Sequence, residues 1–171
     1  ILADDMGLGK TIQTLWIICN DNFDSFNLVV CPLSVLEHWK DKIKLFSEIL
    51  PFTYYGKDRG TYFHNWKNRA AAGNGKPRIC ITTYDTLVSD RKNGFLSVSQ
   101  TKWHRIILDE GHRIRNTKTK TFKTLELFDA THKWILSGTP VLNRMEDYLV
   151  LMQWLGLYTK EQANSYKRKL P

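Results

Sequence analysis

Asp4-Asp5-Met6-Gly7-Leu8-Gly9-Lys10-Thr11 decides how the chain reads. The stretch follows apolar Ile1-Leu2-Ala3 and opens into helix-patterned Thr11-Ile12-Gln13-Thr14-Leu15-Trp16-Ile17-Ile18. Glycines at this spacing let successive backbone N–H groups converge on phosphate oxygens, and the N-terminus of the following helix adds partial positive charge. Lys10 then brings a full cation to the terminal phosphates, and the Thr11 hydroxyl is a hard oxygen suited to magnesium. The nucleotide-binding segment is therefore Asp5 to Thr11. It departs from the generic phosphate-loop pattern at one place: Asp4, six residues before Lys10, stands where the first glycine is usual.

Working outward, strand-like and helix-like stretches alternate. Asn27-Leu28-Val29-Val30-Cys31 is a short apolar run of the kind buried in a parallel sheet. Ser34 and Glu37 have capping-box spacing, and Val35, Leu36, Trp39, Ile43, Phe46 and Leu50 follow at helical intervals. Phe52 to Tyr55 predicts a strand, 61–72 a helix ended by breaker-rich Gly73-Asn74-Gly75-Lys76-Pro77, and Arg78 to Thr83 a strand running into a helix at Tyr84. After the weakly patterned Arg91 to Lys102, Trp103 to Leu108 predicts a strand, Thr119 to Phe128 a helix and Lys133 to Leu136 a strand. Asn143 and Glu146 frame a last helix with Met145, Tyr148, Leu149, Met152 and Leu155 as its apolar face and Gly156 as its stop. The alternation predicts an α/β fold, a doubly wound, mainly parallel sheet with helices on both faces and ligands at the strand ends.

The second chemical element sits at one of those strand ends, Ile106-Ile107-Leu108-Asp109-Glu110-Gly111-His112. A carboxylate pair there lies where an open α/β sheet places its site. Asp109 is assigned to a hydrated magnesium ion and Glu110 to the attacking water.

These residues carry a resemblance. Leu2 to Thr11, Asp109 to His112 and Ser137-Gly138-Thr139-Pro140 resemble motifs I, II and III of the superfamily-two helicase-like ATPases. Within them, Met6 to Thr11 after two acids is similar to the Swi/Snf family of double-stranded-DNA translocases, which also carries an acid at the position of Asp4. Val30 to Leu36 with Trp39 resembles motif Ia, Ile81-Thr82-Thr83-Tyr84 resembles motif Ib, and Tyr55 to Arg59 is in family style. The pairing of Asp-Asp-Met with Asp-Glu-Gly-His and Ile114-Arg115-Asn116 looks most like the RING-finger-bearing branch.

The resemblance implies a RecA-like first lobe of a P-loop NTPase over residues 1–171, using ATP and Mg2+. It implies that His112, Ser137 and Thr139 couple nucleotide state to DNA, and that Pro32, Ser34, Thr82, Thr83, Arg115 and Asn116 face the DNA backbone. Double-stranded DNA, as nucleosomes or stalled forks, is the implied partner, with a second RecA-like lobe in cis, ubiquitin-pathway partners through a RING domain elsewhere, and a nuclear setting. Leu142 departs from the glutamine that many members carry after motif III. Because the chain opens inside what should be a buried strand, it is expected to be a piece cut at both ends and lacking the second lobe. Two other readings compete: an RNA helicase lobe, whose Asp-Glu-Ala-Asp and Ser-Ala-Thr signatures are absent here, and a catalytically inactive DNA-binding scaffold.

Composition is compatible with that picture. The 171 residues are of single-domain size, and 25 Lys+Arg against 17 Asp+Glu give a formal charge of +8. The excess is concentrated late, and Arg113, Arg115, Lys118, Lys120 and Lys123 follow one another without an intervening acid, interleaved with Asn116, Thr117, Thr119 and Thr121. Charged donors and hydroxyls in that order make a phosphate track that carries no base information. A solvated surface face would use the same residues. Cys19, Cys31 and Cys80 lie in apolar runs with no CxxC spacing, as small buried thiols do in a reducing compartment. No apolar run approaches the ~20 residues of a membrane span, so no membrane partner is expected. Trp16, Trp39 and Trp154 fall in helical apolar patterns and are expected in the core, and the five histidines show no metal-ligand spacing.

Overall fold

The computed structural model describes residues 1–21, 24–70, 77–139 and 145–167. Its centre is a five-stranded, wholly parallel sheet in the order β2-β3-β1-β4-β5, made of β1 (Phe26–Cys31), β2 (Phe52–Tyr54), β3 (Arg78–Thr83), β4 (Trp103–Asp109) and β5 (Ala130–Leu136). β1 pairs with β3 through Leu28↔Cys80 and with β4 through Leu28↔Ile106. It is therefore paired on both edges, and the helix layers on the two faces of the sheet bury five of its six residues. Beyond β5 the chain's own start adds a bridge: Leu2 lies parallel to Leu136, donating to Ile135 O at 2.8 Å and accepting from Ser137 N at 3.2 Å. Thus β5 lies between the segment that carries the phosphate loop and β4, which carries the carboxylate pair.

Side chains that alternate along a strand face opposite sides of the sheet, and the core divides accordingly. Val29, Cys31, Ile79, Ile81 and Ile107 pack with Leu15 and Ile18 of α1 (Lys10–Cys19) and with Leu36, Trp39 and Ile43 of α2 (Leu33–Phe46). Leu28, Val30, Cys80, Ile106 and Leu108 face the other layer, α3 (Arg59–Ala70), α4 (Tyr84–Lys92), α5 (Lys120–Leu125) and α6 (Met145–Trp154). Helices on both faces of a parallel sheet make the doubly wound architecture. A last helix, α7 (Lys160–Lys167), packs on α6 and has no counterpart among the elements expected from sequence. No helix among the described residues is long and apolar enough to cross a membrane.

Several expectations are corrected. α2 starts at Leu33 with Pro32 as N-cap, so Ser34 lies inside the helix and Glu37 binds Lys40 instead of closing a capping box. The same helix stops at Phe46, because Ser47 turns extended and its hydroxyl donates to Ile43 O at 2.7 Å. Leu50 is therefore off the helix and exposed. Trp16 is 68% exposed, since Leu15 and Ile18 fix the buried face of α1 and aim their neighbour outward. On α6 the buried residues are Leu149, Val150, Leu151 and Trp154, while Met145 is exposed. Pro140, Leu142 and Asn143 lie outside the described residues.

Candidate nucleotide site

The site occupies one end of the sheet's carboxyl edge. Gly7 (φ 90°) and Gly9 (φ 78°) hold left-handed conformations that open the loop, and Gly9 is the N-cap of α1. Lys10 folds back over the loop it closes, with Nζ donating to Asp4 O at 2.7 Å and Asp5 O at 3.0 Å. Gln13, one turn further on, braces the loop from outside by donating to Asp4 Oδ2 at 3.2 Å and Leu8 O at 3.0 Å. Asp4 thereby has a structural place in a loop that lacks the usual first glycine. Met6 and Leu8 point outward.

Asp109 ends β4 under close control. Its Oδ2 accepts the indole N–H of Trp39 at 2.7 Å, its Oδ1 accepts the backbone N–H of Glu110 at 3.0 Å, and its carbonyl accepts from Tyr84 OH at 2.7 Å. Two bonds on the carboxylate fix its plane and leave lone pairs for a hydrated cation. The carboxylate also acts on its neighbours: burial first and Asp109 second push the Cys31 thiol up to about 12, and burial with the same charge raises the Tyr84 phenol well above its usual value. Both groups therefore stay neutral beside the site.

Glu110 is the only described residue other than glycine with positive φ (51°, ψ 45°). A β-to-left-handed change at the strand end re-aims its side chain, at a cost of about 1–3 kcal/mol that the surroundings must supply. Part of what holds it is Gly111, where an added Cβ would lie 2.4 Å from Ile135 Cγ2, so only glycine lets β5 approach this turn. From Glu110 a contact path runs sideways. Its Oε2 is 3.0 Å from His112 Nδ1, which is 3.4 Å from Ser137 Oγ, and that oxygen accepts from Thr139 N at 3.2 Å. Next along the chain, Gly138 is close enough to the phosphate loop that a Cβ there would touch Met6 at 3.4 Å. The three coupling residues named from sequence, His112, Ser137 and Thr139, are thus one connected unit between Glu110 and the loop.

The six residues expected to face DNA fall into two groups. Pro32 and Ser34 form the start of α2, with Ser34 exposed. The other four are engaged within the protein. Thr82 Oγ1 is buried and donates to Tyr54 O at 2.9 Å, and Thr83 caps α4 by accepting from Thr86 N at 3.1 Å. Arg115 Nε donates to His112 O at 2.7 Å and its Nη1 lies 3.8 Å from Asp147 Oδ2 of α6. Asn116 Oδ1 accepts from Lys118 N at 2.9 Å. Sequence reasoning missed Gln13 and Tyr84 as parts of the site, and it placed Trp39 in the core and in the motif Ia resemblance without a bond to Asp109. The one available signal was chemical, that a buried indole N–H or phenol needs a partner. Away from the site, His104 and His132 meet at 4.9 Å, and no cluster of metal-ligating side chains occurs among the described residues.

Known proteins resemble this chain along most of its length. The chain is 37% identical over 187 aligned residues to the DNA repair protein RAD5 of Candida albicans, covering 92% of this chain and 17% of that protein. To the human chromodomain-helicase-DNA-binding protein 7 it is 30% identical, over 91% of this chain and 5% of that one. The chain thus spans less than a fifth of these relatives. Among solved structures, the Sulfolobus solfataricus SWI2/SNF2 ATPase core in complex with dsDNA superposes with a TM-score of 0.77 at 31% identity, over 99% of this chain and 34% of that one. The fold is that of its RecA-like core. With the profile of the SNF2-related domain matching residues 1–171 throughout, the chain belongs to the SNF2-related domain family.

Proposed function

We propose that this chain is the ATP-binding first lobe of a DNA-dependent ATPase that moves along double-stranded DNA, remodelling chromatin or stalled and damaged DNA structures in the nucleus. The observation that carries the reading is the unbroken path Glu110–His112–Ser137–Thr139 beside the phosphate loop. Glu110 is the group that would orient and deprotonate the attacking water, and a change in its charge environment passes through one imidazole to the Ser137–Thr139 turn. Lys10 exchanges the carbonyls of Asp4 and Asp5 for phosphate oxygens when nucleotide enters. Thr11 and Asp109 offer the hard oxygens that would hold Mg2+, which when bound neutralises phosphate charge.

For DNA, Pro32 and Ser34 present the start of α2 directly. Thr82, Thr83, Arg115 and Asn116 act chiefly by holding the N-terminus of α4 and the turn after Gly111 in place against the backbone of the duplex. The Sulfolobus solfataricus relative was solved in complex with dsDNA, which supports a duplex over RNA as the nucleic acid bound here.

An arginine finger from a partner lobe is typically worth about 10³ to 10⁵ in rate. None is assigned among the described residues, and we infer that the chain alone binds Mg-ATP weakly and turns over barely at all. Steady-state hydrolysis by the full-length parent, with and without duplex DNA, tests the reading. Duplex stimulation that Glu110→Gln abolishes supports it. Activation by single-stranded RNA instead assigns an RNA helicase, inactivity under every condition assigns a scaffold, and robust turnover by the isolated chain removes the dependence on a second lobe.

A further inference from the structure

On the face of the molecule formed by α4 and α5, away from the phosphate loop, lies a groove of about 510 Å³. Its rim carries Arg91 and Lys92 from the last turn of α4 and Lys120 and Lys123 from α5, all exposed, against one lining acid, Asp85. Cations at the end of α4 complement that helix's negative terminus, but the dipole gives no reason for Lys120 and Lys123 to stand opposite them. A smaller depression shares Arg91 and Thr124 with this groove and continues it over Phe95, Leu96 and Leu127. Those three side chains are 60%, 38% and 49% exposed. Val88 is the apolar residue among those lining the main groove, and long basic side chains are able to lay their aliphatic stems over such surface while their heads reach water. Exposed apolar side chains beside a mainly cationic rim are the makings of a protein-binding surface, and aromatic and arginine side chains are what such surfaces concentrate.

We propose that this surface docks an acidic, amphipathic protein segment, with carboxylates on Arg91, Lys92, Lys120 and Lys123 and apolar side chains over Phe95, Leu96 and Leu127. Charge complementarity selects an acidic partner. The exposed apolar groups select a polypeptide over a nucleic acid, because a duplex would meet the four cations with phosphates and leave Phe95 and Leu127 in water. The inference is independent of the ATPase reading, since no residue of the nucleotide site contributes to the surface.

The test is a fluorescence anisotropy titration of the chain with a labelled helical peptide bearing Glu on one face and Leu and Phe on the other. A shuffled peptide of equal composition and a labelled DNA duplex run in parallel. The amphipathic peptide should bind the wild-type chain at least about tenfold more tightly than the shuffled one, and both Phe95→Ser and the pair Arg91→Glu with Lys123→Glu should weaken it by about tenfold. Duplex affinity should be unmoved by Phe95→Ser. The proposal is overturned if the shuffled peptide binds equally well, or if peptide binding survives the substitutions. It is also overturned if the charge reversals weaken only the duplex, which would assign the surface to nucleic acid. All three side chains are exposed, so folding should persist. Thermal melts check this, and should the charge-reversed pair unfold, Phe95→Ser with the shuffled control still separates the outcomes.

Discussion

The two halves of the sheet's carboxyl edge use their polar groups in opposite ways. On the side of Leu2, β5 and β4, the side chains of Glu110 and His112 remain about one-third exposed, and Glu110 holds a strained backbone. On the side of β3 and β2, the hydroxyls of Thr82 and Thr83 are turned inward and bonded, and Asp90 at the far end of α4 is buried between Tyr54 and Arg59. The lesson is a division of labour. On the proposed reading, groups that exchange partners during a reaction cycle keep capacity and carry strain, whereas groups that hold a helix still commit their hydrogen bonds internally.

Mutations at the two ends can break that comparison. The largest effect is expected at Glu110. In the full-length parent, Glu110→Gln should lower duplex-stimulated hydrolysis by about 10² to 10⁴ while nucleotide binding, read by equilibrium titration, persists. If hydrolysis survives, the strained residue is not the reactive one. Asp90→Ala should act on the other half, removing the carboxylate from a buried ion pair, so that Tyr54 OH loses its acceptor and Arg59 keeps only Gly56 O. The expected loss of folding stability is about 3–5 kcal/mol by urea titration, and an unchanged midpoint would show that α4 is held by other means.

Between these lies Gly111→Ala, whose Cβ must displace Ile135. A cost of about 1–3 kcal/mol is expected, and the remaining hydrolysis of the parent should fall further than stability alone accounts for, because the same turn aims Glu110. Removing a single internally bonded hydroxyl should matter less. Thr83→Ala forfeits the cap of α4 at about 1 kcal/mol, and duplex affinity should weaken only as far as α4 loosens. Ser34→Ala sharpens the contrast from the other direction: the exposed hydroxyl should leave stability within about 0.5 kcal/mol yet weaken duplex binding measurably. Should Thr83 rather than Ser34 dominate duplex affinity at constant stability, the division between holding and contacting residues is wrong.

Much of the molecule is legible in sequence because the relevant physics is local. Apolar runs predicted β1, β3 and β4 to within a residue, since a strand buried on both faces must be continuously apolar. Glycine spacing before Lys10-Thr11 and acids at a strand end named the candidate site, because each motif is built from neighbours in the chain. Helix ends were legible only in part. The Ser34–Glu37 spacing satisfies a capping pattern, but Pro32, with its fixed φ, starts α2 earlier, and Ser47 stops it before Leu50. Apolar periodicity placed Trp16 inside, although a helix lying on a sheet buries only one stripe and Leu15 and Ile18 already fill it.

What the sequence determined by itself, then, is the alternation of elements, the parallel sheet and the position along the chain of the candidate phosphate loop and carboxylate pair. Tertiary structure alone decided the order of the strands. That order inserts β5 between the phosphate loop and β4 and so makes His112 and Ser137, twenty-five positions apart, neighbours at 3.4 Å. It also brought the Trp39 indole onto Asp109 from seventy positions away. The physical reason is that side-chain pairing across strands depends on register and layer order, which are set by burying both faces of the sheet at once, and no local pattern along the chain encodes that choice.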